Sequence, residues 1–339
     1  MQCEEAFPRL PEYLAALRDE FRGSMDLESI GGGFSNPTYA VAVGGSPARF
    51  VLRKQPGGPI LQSAHAVDRE YRVMKALSGS GVPVPAMFHY CADPAVIGTP
   101  FFIMEKVEGR VFHDNSLPGL SASDRTAIYD DMNRVLTLIH GIDIDAVGLG
   151  DFGRRGNFFG RQLERWSKQH ERSRLDGSDG IDRLGQWLQA HQPADDGRVG
   201  LIHGDYRLGN LMIHPSKPQV VAVLDWELSS IGAPLADLGY NLLAWIQTRD
   251  EHSGLAGLDL DALGIPHLDA YAGRYLSRRG MTGPLDPFYM AFSFFRLAII
   301  FEGIVQRAIQ GGHGTTSELD RQTILSRAFA HHGLDLAGV

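Results

Sequence analysis

The stretch LIHGDYRLGNLMIH, residues 201 to 214, places a histidine, an aspartate, an arginine and an asparagine within eight positions, with apolar residues on both sides. Such flanks are typical of buried strands, where polar groups are normally hydrogen-bonded or functional. Asp205 and Asn210 lie five residues apart in a loop just before a strand, and Asp225 ends the strand that returns after a turn. We therefore expect these three side chains to converge at one edge of a short hairpin.

Two carboxylates and an amide at one edge favour a magnesium site, because Mg²⁺ prefers oxygen ligands and often shares them with phosphate groups. The alternative is a hydrogen-bonded turn, in which Asp and Asn side chains are common. A turn accounts for one such residue, but three at this spacing beside a hairpin are better explained by a site.

Length and composition limit the class of protein. A chain of 339 residues with 43% hydrophobic residues is long enough for a large core or for two lobes. The formal net charge of −8 disfavours nucleic acid or a membrane surface as partner, since proteins that bind these usually carry a basic patch. Only two cysteines, Cys3 and Cys91, and an N-terminus without an apolar run predict no disulfide framework, no signal peptide and a cytoplasmic location.

The architecture changes near residue 108. Residues 27 to 107 contain five strand-like segments, a glycine cluster and one helical segment, SAHAVDREYRVMKALS. Beyond residue 108 a helical period dominates, as in SDRTAIYDDMNRVLTLIHGI. The run MAFSFFRLAIIFEGIV, residues 290 to 305, is interrupted by Arg296 and Glu302 and is too short to span a bilayer, so we predict a buried helix.

The segment His203-Gly204-Asp205, with Asn210 and Asp225, resembles the HxDxxxxN catalytic loop and the metal-binding aspartate of the aminoglycoside phosphotransferase and choline kinase family. The resemblance extends over most of the chain, from the glycine cluster to GAPLADLGYN at 232 to 241. It implies an α+β, bilobal protein-kinase-like fold, with a small antiparallel-sheet lobe carrying one helix and a larger, mainly helical lobe. Residues 1–107 would form the nucleotide-binding lobe and 108–339 the catalytic and substrate-binding lobe.

The resemblance also implies roles for the residues of the loop. Asp205 would accept or orient the proton of the attacking hydroxyl, while Asn210 and Asp225 would hold the Mg²⁺ ions that bridge the phosphates of ATP. His203 would brace the loop, and Asp237 would do so from the next helix. The alternative for Asp237 is an acidic residue that simply stabilises a helix N-terminus.

Nucleotide contacts are expected from the glycine cluster GGGFSNPTY and from the segment FFIMEKVEG. The cluster would lay backbone N–H groups over the phosphates, although an ordinary turn between strands would use the same glycines. The second segment resembles the hinge between kinase lobes, whose backbone would meet the adenine edge. The predicted nucleotide-binding residues are Gly32, Gly33, Phe34, Ser35, Glu105 and Val107.

The strand FVLRK carries two candidates for the cation that pairs with the phosphates. Successive residues of a strand face opposite sides, so only one of Arg53 and Lys54 can face the nucleotide. Aligning the strand favours Arg53, with Lys54 as the alternative. Glu70 on the following helix would be its ion-pair partner, unless Glu70 is only a solvent-facing helix charge.

A basic segment in the second lobe is the candidate acceptor site. Residues 154 to 174 contain seven Lys or Arg and two Glu, although the whole chain is acidic. Arg161 and Arg165 share one helix face and Trp166 falls on another, and these three residues are predicted to contact the substrate. The alternative is a solvated helix face.

These observations predict a small-molecule kinase that transfers the γ-phosphoryl group of ATP to a hydroxyl of an anionic metabolite. The chain most resembles the branch related to the kinase portions fused to acyl-CoA dehydrogenases, which implies a hydroxyacyl-CoA as a candidate acceptor. The alternatives are an aminoglycoside kinase and a nucleotide-binding pseudokinase. A protein kinase is disfavoured, because LDWELSSIGAPLADLG leaves no room for a long activation segment. The oligomeric state cannot be inferred.

Overall fold

The computed structural model describes residues 2–30, 36–57, 66–195, 197–311 and 315–339. It consists of two compact units. The first comprises Met1–Arg110, Val147–Leu149 and Leu211–Ser229, and the second comprises Val111–Ala146, Gly150–Asn210 and Ser230–Val339. The first long segment ends close to the predicted division at 107/108. The prediction of two consecutive lobes did not, however, assign residues 211 to 229 to the first unit.

The first unit is built on a five-stranded antiparallel sheet, as predicted. Its spatial order is β1-β2-β3-β5-β4. The strands alternate their side chains between two faces. Leu52 and Ile103 belong to the main apolar core on one face, whereas Arg53 points to the other. The strands are β1 Met25–Ser29, β2 Thr38–Val43, β3 Phe50–Lys54, β4 Met87–Cys91 and β5 Phe101–Glu105.

Four helices accompany this sheet, where one was expected. The expected helix is α3, and its buried residues include Val73, Met74 and Leu77. The prediction missed three short helices, of which α2 contributes Leu10 and Leu14 to the core. Two apolar residues four apart are too weak a periodic signal to distinguish a helix from a loop. The helices are α1 Cys3–Ala6, α2 Leu10–Leu17, α3 Val67–Leu77 and α4 Pro94–Ile97.

The predicted hairpin after the loop is present and belongs to the first unit. Strands β8, Leu211–Ile213, and β9, Val220–Val223, pair in antiparallel fashion. A single helical turn, Trp226–Leu228, follows and packs against α3. The Trp226 side chain is fully buried, and its Nε1 donates to the Val223 carbonyl at 3.0 Å. This turn anchors the residue before it, Asp225.

The second unit is mainly helical. Its two-stranded antiparallel sheet is formed by β7 and β10, and β7 leads directly into the polar loop. A further short strand, β6 Arg110–Val111, lies at the division between the units. The elements are β7 Gly200–Ile202, β10 Ser230–Gly232, α5 Ala122–His140, α6 Phe158–Ser173, α7 Asp179–Ala190, α8 Pro234–Asn241, α9 Arg249–His252, α10 Leu260–Leu263, α11 Leu268–Arg278, α12 Phe288–Gly311 and α13 Thr316–Ala337.

Helix α12 is the central core helix of this unit, as predicted. It is 24 residues long, so the expectation that it is too short to span a bilayer was wrong. By length and composition it is the one helix in the described part of the chain that could cross a membrane, but 72% of its apolar window is buried inside the protein. Its Glu302 is fully buried and accepts hydrogen bonds from the Leu175 N–H and from Ser178. A mostly buried helix of this kind is also typical of soluble cores.

Candidate active site

The polar loop leaves β7 in a conformation fixed by a buried carboxylate. Asp237 on α8 accepts the backbone N–H groups of His203, at 2.5 Å, and Gly204, at 2.8 Å. The His203 ring is fully buried, and its Nδ1 accepts the backbone N–H of Asp205 at 3.2 Å. Both residues therefore hold the loop, as their resemblance to the family implied, and neither presents a free side chain to solvent.

The Asp205 carboxylate is held on both oxygens. Tyr240 on α8 donates its hydroxyl to Oδ1 at 2.5 Å, and the Asn210 amide donates to Oδ2 at 2.7 Å. Arg207 Nε lies 3.4 Å from Oδ1. The side chain remains 19% exposed, so a small molecule can reach it. Because Asn210 uses its NH₂ group on Asp205, its carbonyl oxygen is the atom that can bind a cation.

Tyr240 and Arg296 support this carboxylate and were not identified from the sequence. The Arg296 guanidinium lies 5.0 Å from the centre of the Tyr240 ring and donates to the Gly204 carbonyl. Burial and the adjacent Asp205 charge raise the pKa of Tyr240, so its hydroxyl keeps its proton and donates. The sequence signal for Arg296 was a charged residue inside an apolar helix. The signal for Tyr240 was its position on α8, three residues after Asp237.

A buried chain of hydrogen bonds continues behind Asp237. His140 Nε2 lies 3.3 Å from Asp237, and His140 Nδ1 lies 2.5 Å from the Tyr275 hydroxyl. Burial lowers the pKa of His140, which keeps the ring neutral. Burial alone would raise the pKa of Asp237, but the hydrogen bonds that it accepts from His140 and Gly204 outweigh burial and lower it. Asp237 is therefore an anion that organises the surrounding donors.

The first unit contains a separate charged cluster around Arg53. Arg53 Nε lies 3.0 Å from Glu70, and its Nη2 donates to Asp225 at 2.8 Å. The Lys54 ammonium instead lies 5.8 Å from the centre of the Phe7 ring, on the other face of the sheet. The predicted ion pair of Arg53 with Glu70 is thus present, and the strand register favours Arg53 over Lys54 as the cation for phosphate.

This cluster has more carboxylates than cations. Asp225 and Glu227 lie near the Arg53–Glu70 pair. Burial, reinforced by these two carboxylates, raises the pKa of Glu70 to about 7 in spite of Arg53. Asp225 adopts left-handed backbone angles, φ 65° and ψ 60°, which few residues other than Gly, Asn and Asp accept readily.

The donor set fits a hard divalent cation. Asp225 supplies a carboxylate that already lies among excess negative charge, and Asn210 supplies an amide oxygen. Within the described ranges no three His, Cys, Asp or Glu residues are grouped as metal ligands. Each of these side chains therefore offers one oxygen donor of the kind that Mg²⁺ prefers.

The other predicted nucleotide contacts are placed differently. Gly32, Gly33, Phe34 and Ser35 lie outside the described residues. Glu105 ends β5, and its backbone N–H already donates to the Ala86 carbonyl at 2.8 Å, so that N–H is not available to an adenine. Val107 follows in a half-buried segment without regular structure. The hinge role of Glu105 and Val107 stays a prediction.

A pocket lies beside Asp205 in the second unit. Its wall includes Tyr240 and residues of the polar loop, together with apolar side chains of α5 and α12. None of its lining residues is an Asp or Glu. Among the described residues, the buried Asn241 Oδ1 and Gln247 Nε2 have no hydrogen-bond partner. The polar residues of the lining are His113, Asn115, Arg207, Tyr240, Asn241, Gln247 and His252.

The three predicted substrate residues on α6 are not part of this pocket. The Arg161 guanidinium donates to the carbonyls of Gly156 and Arg154. Arg165 lies over the Trp166 ring, 5.5 Å from its centre. These contacts account for Arg161 and Arg165 as structural residues of the α6 surface, so a substrate role for them and for Trp166 stays a prediction.

The family model described as "Phosphotransferase enzyme family" matches residues 26–274 of the chain. Acyl-CoA dehydrogenase family member 10 of Mus musculus is 44% identical over 307 residues, which make up 89% of this chain and 28% of that protein. Acyl-CoA dehydrogenase family member 11 of Rattus norvegicus is 36% identical over 97% of this chain and 42% of that protein. The chain thus spans less than half the length of these curated relatives.

Among solved structures, a Ralstonia eutropha protein described provisionally as an aminoglycoside phosphotransferase is 43% identical, with a TM-score of 0.89. The match covers 100% of this chain and 99% of that chain. A spectinomycin phosphotransferase in complex with ADP and spectinomycin has a TM-score of 0.62 at 11% identity and covers 98% of this chain and 99% of its own. At that identity the likeness concerns the fold alone. The predicted α+β, protein-kinase-like fold is confirmed.

Proposed function

The chain belongs to the phosphotransferase enzyme family, and on that premise we propose that it transfers the γ-phosphoryl group of ATP to a hydroxyl of an anionic small molecule. The observation that carries the proposal is the partly exposed Asp205 carboxylate, which Tyr240 and Asn210 hold beside a pocket that Tyr240 and Arg207 line. An oriented, partly exposed carboxylate is the group that a hydroxyl acceptor needs.

Asp205 would accept or orient the proton of the attacking hydroxyl. Phosphoryl transfer requires little covalent chemistry from the protein, so positioning and charge account for most of the rate enhancement. The two hydrogen bonds on Asp205 fix the direction of its lone pairs before the acceptor arrives. His203, Gly204 and Asp237 fix the backbone that carries it.

Arg53, Asp225 and Asn210 would act on the nucleotide. Arg53 would bind phosphate oxygens with its planar fork, since one guanidinium can donate to two oxygens at once. Asp225 and Asn210 would hold Mg²⁺ through a carboxylate and an amide oxygen. When bound, Mg²⁺ would neutralise the negative charge that develops on the phosphate groups. Complexes of related folds with ADP support a nucleotide donor.

The lining of the pocket beside Asp205 supports an acceptor that is not a cation. Aminoglycosides are polycations, and beyond the neighbouring Asp205 the lining of this pocket offers them no carboxylate as counter-charge. Arg207 offers a donor fork for a phosphate or carboxylate, while the buried Asn241 and Gln247 offer unused polar atoms to a hydroxylated or amide-containing chain.

A hydroxyacyl-CoA is our first candidate acceptor. It combines an apolar chain, a hydroxyl, amide groups and phosphates, and the apolar, amide-polar and cationic parts of the pocket match these features. The names of the curated relatives, acyl-CoA dehydrogenase family members, point in the same direction. A pseudokinase is disfavoured, because Asp205, Asn210 and Asp225 are all present.

A transfer screen tests the proposal. The protein is incubated with Mg²⁺ and γ-labelled ATP and with hydroxyacyl-CoA thioesters, free hydroxy acids or kanamycin, and Asp205→Asn serves as the inactive control. We expect labelled product with an anionic hydroxy compound and none with kanamycin. Efficient transfer to kanamycin would contradict the anionic acceptor, and transfer to none of a broad panel would favour a pseudokinase.

Two arginine variants then locate the acceptor site. Arg207→Gln should raise the acceptor KM on the order of tenfold, the effect of losing one charge-assisted bond, and leave the ATP KM unchanged. The double variant Arg161→Gln/Arg165→Gln tests the alternative site on α6. If the double variant raised the acceptor KM more than Arg207→Gln does, the acceptor site would lie on α6.

A further inference from the structure

The second unit contains another pocket, and no residue of its lining belongs to the pocket beside Asp205. Phe158 and Phe159 at the start of α6, Pro234 and Leu235 at the start of α8, and Tyr289 on α12 form much of its wall. Concave sites with mostly apolar walls and a few polar groups are typical of small-molecule binding. The transfer reaction proposed above makes no use of this pocket.

The charged side chains of this pocket favour an anion. Three arginines, Arg154, Arg198 and Arg279, belong to its lining, and Asp195 is the one carboxylate there. Asp195 already accepts the backbone N–H groups of Asn157, at 3.0 Å, and Gly197, at 3.1 Å. The three arginines outnumber this one carboxylate, so the lining has an excess of positive charge beside its apolar side chains.

We propose that this pocket binds an amphipathic organic anion, an aliphatic or aromatic carboxylate, at a site separate from the phosphoryl-transfer site. The arginines would bind the carboxylate through paired N–H donors. The phenylalanine, proline and leucine side chains would cover the apolar body of the ligand, which leaves water on binding. A small inorganic anion would match only the arginines, and an amphipathic cation would match only the apolar side chains.

The pocket is connected to the catalytic loop by buried hydrogen bonds. Tyr275 lines the pocket, and its hydroxyl lies 2.5 Å from His140, which in turn lies 3.3 Å from Asp237. Asp237 holds the backbone N–H groups of His203 and Gly204. Pro234 and Leu235 of the wall also begin the helix that carries Asp237. A ligand here therefore contacts two elements that fix Asp237, and its binding changes the mobility of the loop that carries Asp205.

Calorimetric titration with octanoate tests the binding site, with octylamine and 1-octanol as cationic and neutral analogues. Octanoate should bind more tightly than either analogue, and Arg154→Gln/Arg279→Gln should weaken it at least about tenfold. Arg183→Gln/Arg307→Gln is the matched control, because it removes two charges from exposed positions of the same unit and should leave the affinity unchanged. Ala194→Trp, at an exposed position of the lining, should block binding by filling space.

These titrations need neither nucleotide nor acceptor, so their outcome is independent of the proposed transfer reaction. Arg207→Gln shows whether octanoate occupies the pocket beside Asp205 instead, and it should leave the affinity unchanged. No binding at millimolar octanoate, equal binding of octylamine, or loss of binding in Arg207→Gln alone would overturn the proposal. Thermal unfolding of each variant verifies that it is folded.

Amide hydrogen exchange tests the connection to the loop. Saturating octanoate should change the exchange rate of peptides covering residues 201 to 210 at least about twofold in the parent protein. Tyr275→Phe should still bind octanoate but lose this response, because it lacks the hydroxyl that meets His140. Tyr289→Phe removes the other tyrosine hydroxyl of the lining and should retain the response. Binding without any change in exchange, or an equal response in both variants, would overturn the connection.

Discussion

Replacing Tyr240 by phenylalanine removes one of the two hydrogen bonds that orient the Asp205 carboxylate and leaves the ring in place. The lost bond is short, 2.5 Å, and has an ionised acceptor. Hydrogen bonds to charged groups contribute about 1.5–3 kcal/mol. Since about 1.4 kcal/mol corresponds to a factor of ten in rate, kcat should fall roughly 10- to 100-fold. The Asn210 bond remains, so the loss should stay below that of Asp205→Asn, roughly 10²- to 10⁴-fold.

The assay is initial-rate kinetics with the acceptor found in the transfer screen. The ATP KM should stay within about twofold, because Arg53, Glu70 and Asp225 hold one another within the first unit, whereas Tyr240 belongs to the second. Tyr271→Phe is the matched control. It removes a fully buried tyrosine hydroxyl of the same unit that has no hydrogen-bond partner among the described residues, and kcat should be unchanged.

A double-mutant cycle distinguishes a positioning role from a general loss of stability. If Tyr240 acts through the Asp205 carboxylate, Tyr240→Phe should have little further effect in an Asp205→Asn background. Equal fold losses in both backgrounds would refute the reasoning. A kcat within twofold of the parent value for Tyr240→Phe alone would refute it as well.

Three further predictions concern the charged cluster of the first unit. Asp225→Asn, which keeps a residue tolerant of left-handed backbone angles, should abolish Mg²⁺-dependent ATP binding in calorimetry, and an unchanged affinity would contradict the assigned role. Arg53→Met should lower kcat/KM more than Lys54→Met, and the opposite ranking would reverse the assignment of the inward-facing cation. Because the folded-state pKa of Glu70, about 7, lies above its ordinary value of 4.5, the folded protein binds the extra proton between these pH values and loses stability as pH rises through them. The free energy of unfolding of the parent protein, relative to Glu70→Gln, should therefore fall by up to about 3 kcal/mol from pH 5 to pH 8, whereas a constant difference would show that Glu70 does not titrate there.

Local patterns were sufficient for the parts of the molecule that depend on local chemistry. Strand alternation required that only one of Arg53 and Lys54 share a face with Glu70, aligning the strand favoured Arg53, and its ion pair with Glu70 is present. The short spacing of Asp205 and Asn210 in one loop predicted that their side chains lie close together, and the Asn210 amide does donate to the Asp205 carboxylate. The buried helix around Arg296 followed from its apolar composition.

Contacts between segments that are distant in the sequence could not be predicted from local patterns. Tyr240 and Arg296 meet Asp205 and Gly204 because α8 and α12 pack beside the loop, and the sequence alone gave neither residue a role. The basic residues of α6 drew attention by their charge, yet Arg161 donates to neighbouring carbonyls instead. Charge in a sequence indicates electrostatic potential, whereas the partner of each charge depends on tertiary packing.

The discontinuous make-up of the first unit has a consequence for biosynthesis. Its sheet is encoded before residue 106, but its last segment, Leu211–Ser229, emerges from the ribosome only after most of α5, α6 and α7. Domains generally fold as units during synthesis, so this one remains incomplete until residue 229 has been added. Arg53 and Glu70 would until then lie in the nascent chain without Asp225. A fragment ending at residue 110 should accordingly be a chaperone client rather than an independent nucleotide-binding domain, and a circular permutant that joins 211–229 directly to the sheet should fold sooner.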